Sequence, residues 1–325
     1  MANLLSAQNR ASHPARLHAI EAIMSASLRP LPRRQFLAQT FAAAAALTIG
    51  ARAENKARTP LPIIGFTKPF QNIGYERTAE VVAEIGWSGI ECPVRKKGQV
   101  EPERVEDDLP KLHEELKKHG LDLGIITTDI RRVDPLAERV LRTASKLGVK
   151  HYRITFIRYD LAKPIPPQLD ALRAELRDLA QLSKELGMRG GFQNHSGRDY
   201  VGTAVWDIYE LVKDLEPAQL GSHFDIGHAT VEGGTSWPLE AKLMEPFLQC
   251  VYVKDFFWER GDKGWAPKWG PLGDGMVRKE FFDWLKTTNF TGPISQHVEY
   301  IEGAGPEQMA IMKKDAATLR SWLAA

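Results

Sequence analysis

From residue 60 onward, short runs rich in β-branched and aromatic residues alternate with longer stretches whose apolar positions recur every three to four residues. The short runs predict strands at 63–67, 89–92, 123–127, 151–156, 190–194, 221–225, 250–254 and 293–298. The longer stretches predict helices at 77–85, 108–119, 135–147, 169–186, 204–215, 239–247, 279–287 and 306–323. Glycine closes several of these, at 120, 148 and 187, where a helix commonly ends in a left-handed residue. Eight strand-helix units in succession predict an α/β protein built as a single (β/α)8 barrel, the domain running from 60 to 325, rather than an open doubly wound sheet.

The rhythm breaks at 256–278, FFWERGDKGWAPKWGPLGDGMVR, between the seventh strand and its helix. A long segment rich in Gly, Pro and Trp on that side of a barrel predicts a lid or substrate-binding loop, with Trp258 and Trp269 available to stack on a sugar ring. Trp265 is a third candidate, and the alternative is that these rings pin the loop to the rim.

Polar residues close four of the predicted strands. They are Gln193-Asn194-His195, Asp225-Ile226-Gly227-His228, Lys254-Asp255 and His297-Val298-Glu299. Such groups are expensive to bury, so their recurrence at C-terminal strand ends points to one pocket at the top of the barrel. Alternation along a strand puts Gln193 with His195, His223 with Asp225, Tyr252 with Lys254, and His297 with Glu299 on one face. Upstream strands add Thr67, Glu91, Thr127, Asp129, Arg153 and Thr155. Asp225, Glu299, His297 and the Gln193 carbonyl oxygen form an N/O donor set suited to a divalent ion such as Mn, Mg, Zn or Co. The competing reading is a hydrogen-bonded polar layer without metal. His228 suits a proton shuttle, and Lys254 suits an electrophile or a partner for Asp225 or Glu299. Asp255, of opposite parity, suits an orienting role.

The first fifty residues lack this rhythm. Pro32-Arg33-Arg34-Gln35-Phe36-Leu37 leads into an apolar run ending at Ala51-Arg52-Ala53, the form of a twin-arginine signal peptide over 1–53 with cleavage after Ala53. The expectation is export to the periplasm by the twin-arginine machinery; the apolar run is shorter than the ~20 residues that a stable membrane span needs. Six arginines against one glutamate in this segment carry five positive charges, so the formal +2 of the whole chain becomes −3 without it. A weakly acidic mature chain argues against a nucleic-acid footprint. Cys92 and Cys250 both lie in strand-like runs, where buried free thiols are expected rather than a bridge.

The order of QNHSG, DIGH, VKD and PLGDG, followed by a polar end to the last strand, resembles the sugar phosphate isomerase/epimerase or xylose-isomerase-like TIM-barrel family. The resemblance runs from about Pro60 to the C-terminus. It implies one divalent cation held by a Glu, an Asp, a His and a second Glu, the two glutamates acting as acid and base beside a carbonyl. By position these fall on Gln193, Asp225, Tyr252 and His297, with Glu299 one inward step further along. Only the aspartate matches. Gln193 cannot take up a proton, so proton handling passes to His297, Glu299, His228 or His195. The reading is a carbohydrate isomerase, epimerase or lyase acting next to a carbonyl, with Glu91, Gln193, His195, Tyr252, Trp258 and Trp269 as substrate contacts. The alternative is a non-catalytic carbohydrate-binding barrel that has lost the metal.

Overall fold

Strands buried on both faces cannot leave an edge in water, and the eight predicted runs avoid one by closing on themselves. The computed structural model of the protein describes residues 60–324, and the expected leader at 1–53 lies outside them. Strand β1 (Ile63–Phe66) pairs in parallel with both β2 (Gly89–Val94) and β10 (Ile294–Gln296). The ring continues through β3 (Asp122–Thr128), β4 (His151–Arg153), β5 (Arg189–Gln193), β6 (Leu220–Asp225) and β7 (Leu248–Val253), all parallel, into a closed eight-stranded barrel.

Helices cover the outside in the predicted order: α1 (Tyr75–Ile85), α2 (Val105–Lys118), α3 (Pro135–Lys146), α4 (Ile165–Leu186) and α5 (Val205–Val212) before β6. Local chemistry sets their ends. Asp134 caps α3 by accepting from the Leu136 and Ala137 N–H groups, with Pro135 in the first turn, and Gly187 ends α4 at φ 62°. Outward strand residues such as Ile90, Phe192, Phe224 and Val251 join helix residues in the main apolar core. Inward residues Ile64, Ile125, Cys250 and Tyr252 form a second small cluster inside the barrel. Cys92 belongs to the outer core and Cys250 to the inner one, and both are free and buried.

Two segments depart from the sequence reading. The strand at β6 passes directly into a short helix, α6 (Ile226–Gly233), followed by α7 (Trp237–Met244). Asp225 is both the last strand residue and the helix N-cap, its Oδ1 accepting from the His228 N–H at 3.0 Å. His228 therefore sits in a helix turn instead of a loop. Gly227 allows this sharp passage, because a Cβ there would meet the Lys254 carbonyl oxygen at 2.7 Å.

The second departure is the expected lid, which is an antiparallel ribbon of β8 (Asp255–Gly261) and β9 (Gly264–Gly270). Its tip is the two-residue turn Asp262-Lys263, closed by Gly264 at φ 98°. A lone two-stranded ribbon is marginal in water. Here the root is fixed by Asp255, whose carboxylate accepts from the N–H groups of Phe256, Gly273, Gly275 and Val277 at 2.8 to 3.0 Å. Asp255 thus positions the backbone of the ribbon and of the turn that follows it. The last helices are α8 (Glu280–Thr287) and α9 (Pro306–Ala324). No helix among the described residues is long and apolar enough to cross a membrane.

The barrel interior is filled so tightly that one glycine decides a neighbour's position. A Cβ on Gly191 would lie 1.8 Å from the His223 ring, which occupies that space. Gly191→Ala should lower stability by about 1–3 kcal/mol, the usual penalty for overpacking, read as a lower urea midpoint. An unchanged midpoint would mean that His223 does not occupy that space.

Candidate active site

Inward parity, followed up the strands, brings the polar strand ends to one place. Asp225 is fully buried and its carboxylate is saturated. Oδ2 accepts from Gln193 Nε2 at 2.7 Å and faces Lys254 Nζ at 3.1 Å, while Oδ1 is engaged by the α6 cap. Asn194 fixes the backbone of Asp225 from both ends of its amide, accepting from its N–H at 2.7 Å and donating to its carbonyl at 2.9 Å. The Gln193 amide has one possible orientation. Arg153 can only donate and the ionised Asp225 can only accept, so Oε1 faces Arg153 and the NH2 faces Asp225.

Deeper in the barrel, Glu91 and His297 form a fully buried ion pair, Nε2 to Oε2 at 2.8 Å. Glu91 also accepts from Ser295 at 2.6 Å and from Thr127. The His297 ring lies between Phe66 and Tyr252, with centroids at 4.5 and 4.6 Å, and its other nitrogen reaches Glu299 at 3.3 Å. Burial opposes both charges, but each overcomes it in the other. Opposite charge and hydrogen bonds hold the Glu91 carboxyl down at about 2 and raise His297 above its ordinary value.

Above this pair opens a small cleft at the top of the barrel. Lys68, Arg95, Arg153 and Lys254 supply its cations, Glu299 its carboxylate, and Phe66, Phe156, Gln193 and His195 the rest of the lining. Glu299 is ion-paired with Lys68 and lies 3.5 Å from Lys254; burial would raise its carboxyl, but Lys254, His297 and Lys68 hold it well below the usual range. His195 is the opposite case. Burial and the nearby Lys254 charge push it down to about 4. Its Nδ1 contacts the Ser196 carbonyl at 2.8 Å, which can only accept, so in the neutral ring Nδ1 carries the proton and Nε2 keeps its lone pair. A second cleft opens at the N-terminal ends of the strands, lined in part by Ser88, His113, Lys117, Asp122, Lys150 and His151. It holds none of the four polar strand ends.

Several expected site residues are placed elsewhere. Glu91 and Tyr252 do not line the cleft: both are fully buried beneath it, and the Tyr252 hydroxyl contacts His223 Nδ1 at 2.8 Å. His297 acts from below, through Glu91 and Glu299. His228 is also buried, held by Ser196 Oγ at 2.7 Å, with its Nε2 at 3.8 Å from Asp225; burial, Lys254 and His195 keep it well below the usual histidine range. Trp269 packs on Lys254 at 4.8 Å and on His228, beside the cleft. Trp258 and Trp265 share the ribbon face of Phe256 and Trp269 but lie further toward the tip, where they are 42% and 66% exposed and do not line the cleft. Lys68, Arg95 and Phe156 were missed. For Arg95 a signal existed, since Glu91, Pro93 and Arg95 share inward parity.

Residues 79–322 match the model of the xylose isomerase-like TIM barrel family, and the chain belongs to that family. It is 26% identical over 129 residues to an uncharacterised protein of Methanocaldococcus jannaschii, an alignment spanning 39% of this chain and 42% of that protein. Its fold is similar to D-allulose 3-epimerase from Methylomonas in complex with D-allulose, with TM-score 0.63, 14% identity, and 81% of this chain and 98% of that one covered. It is also similar to a xylose isomerase-like barrel protein from Mycobacterium smegmatis in complex with magnesium, with TM-score 0.61, 14% identity and coverage of 81% and 97%.

The donors expected to hold a divalent ion do not fit one as arranged. Asp225 is taken up by Lys254 and Gln193, Gln193 by Arg153, and His297 by two carboxylates. The Lys254 ammonium supplies the positive charge that a cation would bring to Asp225. Among the described residues, His151, His223 and Cys250 form one buried group whose ligand atoms lie within 4.8 Å of one another, lower in the barrel.

The buried pair should dominate the pH dependence of stability. The folded Glu91 value is depressed from 4.5 to about 2, so its contribution is complete above pH 4.5 and is lost as pH falls through 2. The folded His297 value is raised above 6.5, so its contribution is complete below pH 6.5 and is lost as pH rises through the raised value. Glu91→Gln leaves the buried imidazolium with only the longer contact to Glu299, an expected loss of about 3–5 kcal/mol at pH 6 in denaturant unfolding. A loss below about 1 kcal/mol would contradict the pairing.

Proposed function

We propose that this protein is a sugar isomerase or epimerase that moves a proton between carbons next to a carbonyl, with one base and without a metal at Asp225. The observation that carries this reading is a neutral imidazole with a free Nε2, His195, lining the same cleft as the Lys254 ammonium. The family, and a fold shared with an epimerase of D-allulose, support a small keto-sugar as substrate.

In this mechanism His195 Nε2 takes the proton from the carbon beside the carbonyl. The electron pair moves to the carbonyl oxygen, and the enediolate that forms is stabilised by Lys254. The protonated imidazole then returns its proton to the neighbouring carbon while the hydroxyl proton on the first carbon's oxygen passes to the former carbonyl oxygen, so the carbonyl moves one carbon along. Delivery to the other face of the same carbon requires the enediolate to turn over in the cleft. Asp225 and Glu299 hold Lys254 between them, at 3.1 and 3.5 Å. Gln193, fixed by its two ionic partners, offers its amide edge to a substrate hydroxyl. The leader at 1–53 belongs to the same proposal and places this chemistry outside the cytoplasm.

The test is exchange of sugar C–H hydrogens with deuterated water across a panel of ketoses and aldoses. Exchange should survive chelators and fall by about two orders of magnitude or more in His195→Asn. Because the His195 value is near 4, the rate should stay level from neutral pH down to about 5 and fall below 4. Binding of sugars without any exchange would instead assign a non-catalytic carbohydrate-binding barrel. Exchange abolished by chelators would return the chemistry to a metal.

A further inference from the structure

Every carboxylate at the base of the cleft already has a cation. Asp225 faces Lys254 at 3.1 Å, Glu91 faces His297 at 2.8 Å, and Glu299 is paired with Lys68. Two guanidiniums remain over. Arg153 is only 5% exposed, gives a hydrogen bond to the neutral Gln193 carbonyl oxygen, and has an Nε with no partner. Arg95 is half-buried beside it and makes no ion pair within 4.0 Å among the described residues. Both lie over one face of the site, their guanidinium carbons 5.7 and 5.9 Å from the centre of the Phe66 ring.

Two like charges gathered on one partly enclosed wall repel each other and have lost part of their hydration. Burial and the Arg153 charge both pull Arg95 below its ordinary value. The acids acting on it from a distance are Asp129, Glu299 and Glu91. Asp129 is exposed at the rim and accepts from the Lys96 N–H at 2.8 Å, while the other two have the partners named above. Glu91 also acts on Arg153, so the five cations Lys68, Arg95, Arg153, Lys254 and His297 share the three carboxylates Glu91, Asp225 and Glu299, and positive charge is left over. Paired planar guanidiniums match the oxygen geometry of carboxylates and phosphates, which is the usual reason for arginine over lysine at such a place.

We infer that the substrate supplies the missing charge: the cleft takes a small sugar bearing an oxyanion, a carboxylate or a phosphate, held by Arg95 and Arg153. This rests on the proton-transfer reading for its orientation, with the carbonyl end toward Lys254 and His195. It adds the class of substrate. A neutral sugar would fill the cleft and leave both guanidiniums without an anion.

Calorimetric titration of the full chain with D-glucuronate, D-fructose 6-phosphate, D-glucose and D-fructose tests this directly. At least one charged sugar should bind about tenfold or more tightly than its neutral counterpart, and the preference should shrink as salt is raised. Preference for the uronate identifies a carboxylate, and preference for the ester identifies a phosphate. Arg95→Met should remove most of the difference while leaving the melting temperature near that of the parent. Arg153→Met is the second variant; since it also frees Gln193, its fold is checked by circular dichroism. Equal affinities for charged and neutral sugars, including no binding of any, overturn the inference, as does a preference unchanged in folded Arg95→Met.

Binding and isotope exchange are read separately. An anion bound by both the parent and His195→Asn, with no exchange in either, keeps the oxyanion site and removes the proton-transfer mechanism. Exchange confined to neutral sugars keeps the mechanism and removes the oxyanion.

Discussion

A carboxylate and an imidazolium in the middle of a barrel are stable only as a matched set, and the upper half of this molecule is arranged around that requirement. Glu91 and His297 join strands β2 and β10, which flank β1 in the closed ring. Phe66 and Tyr252 cover the two faces of the imidazole, and Ser295 and Thr127 fill the remaining acceptor positions of the carboxylate. A buried pair of this kind adds little net stability compared with apolar packing, but either member alone would be severely unfavourable. It links the strands on either side of β1 and forms the floor of the cleft.

Above that floor, charge replaces coordination. The family resemblance implies a cation bridging four strand ends, yet this chain retains only Asp225 from that set. A glutamine stands at the first position, a tyrosine at the third and a histidine at the fourth. Lys254 takes over the role of joining β6 and β10, touching both Asp225 and Glu299. An ammonium on a flexible stem can follow a changing oxyanion, although it polarises a carbonyl less strongly than a divalent ion does. Chemistry with a single neutral base is consistent with that trade.

The barrel was legible because period-two and period-3.6 patterns alternated without a break, and glycines marked helix ends at 120, 148 and 187. The pocket was legible because four strands ended in polar residues of inward parity. Parity says which way a side chain points but not how deep it stops. Glu91, Tyr252 and His297 were thus read as substrate-facing, although they lie one layer below it. Asp225 was legible as a strand end, whereas its second role as a helix cap was hidden behind an apparent loop. Lys68 and Arg95 escaped because both follow the ends of their strands, although Arg95 continues the inward parity of Glu91 and Pro93. The ribbon was read as a loop because its glycines and prolines outweighed the alternation of its aromatic residues.

Asp255 stands where that ribbon leaves the barrel, and its one carboxylate gathers four backbone N–H groups from the strand, the following turn and the approach to α8. The root is therefore held from several sides, while Asp262 and Lys263 at the tip are exposed. Root and tip are mechanically separate. An affinity tag or fluorophore inserted at that turn would report from the mouth of the barrel without disturbing Lys254 or Trp269 beneath it.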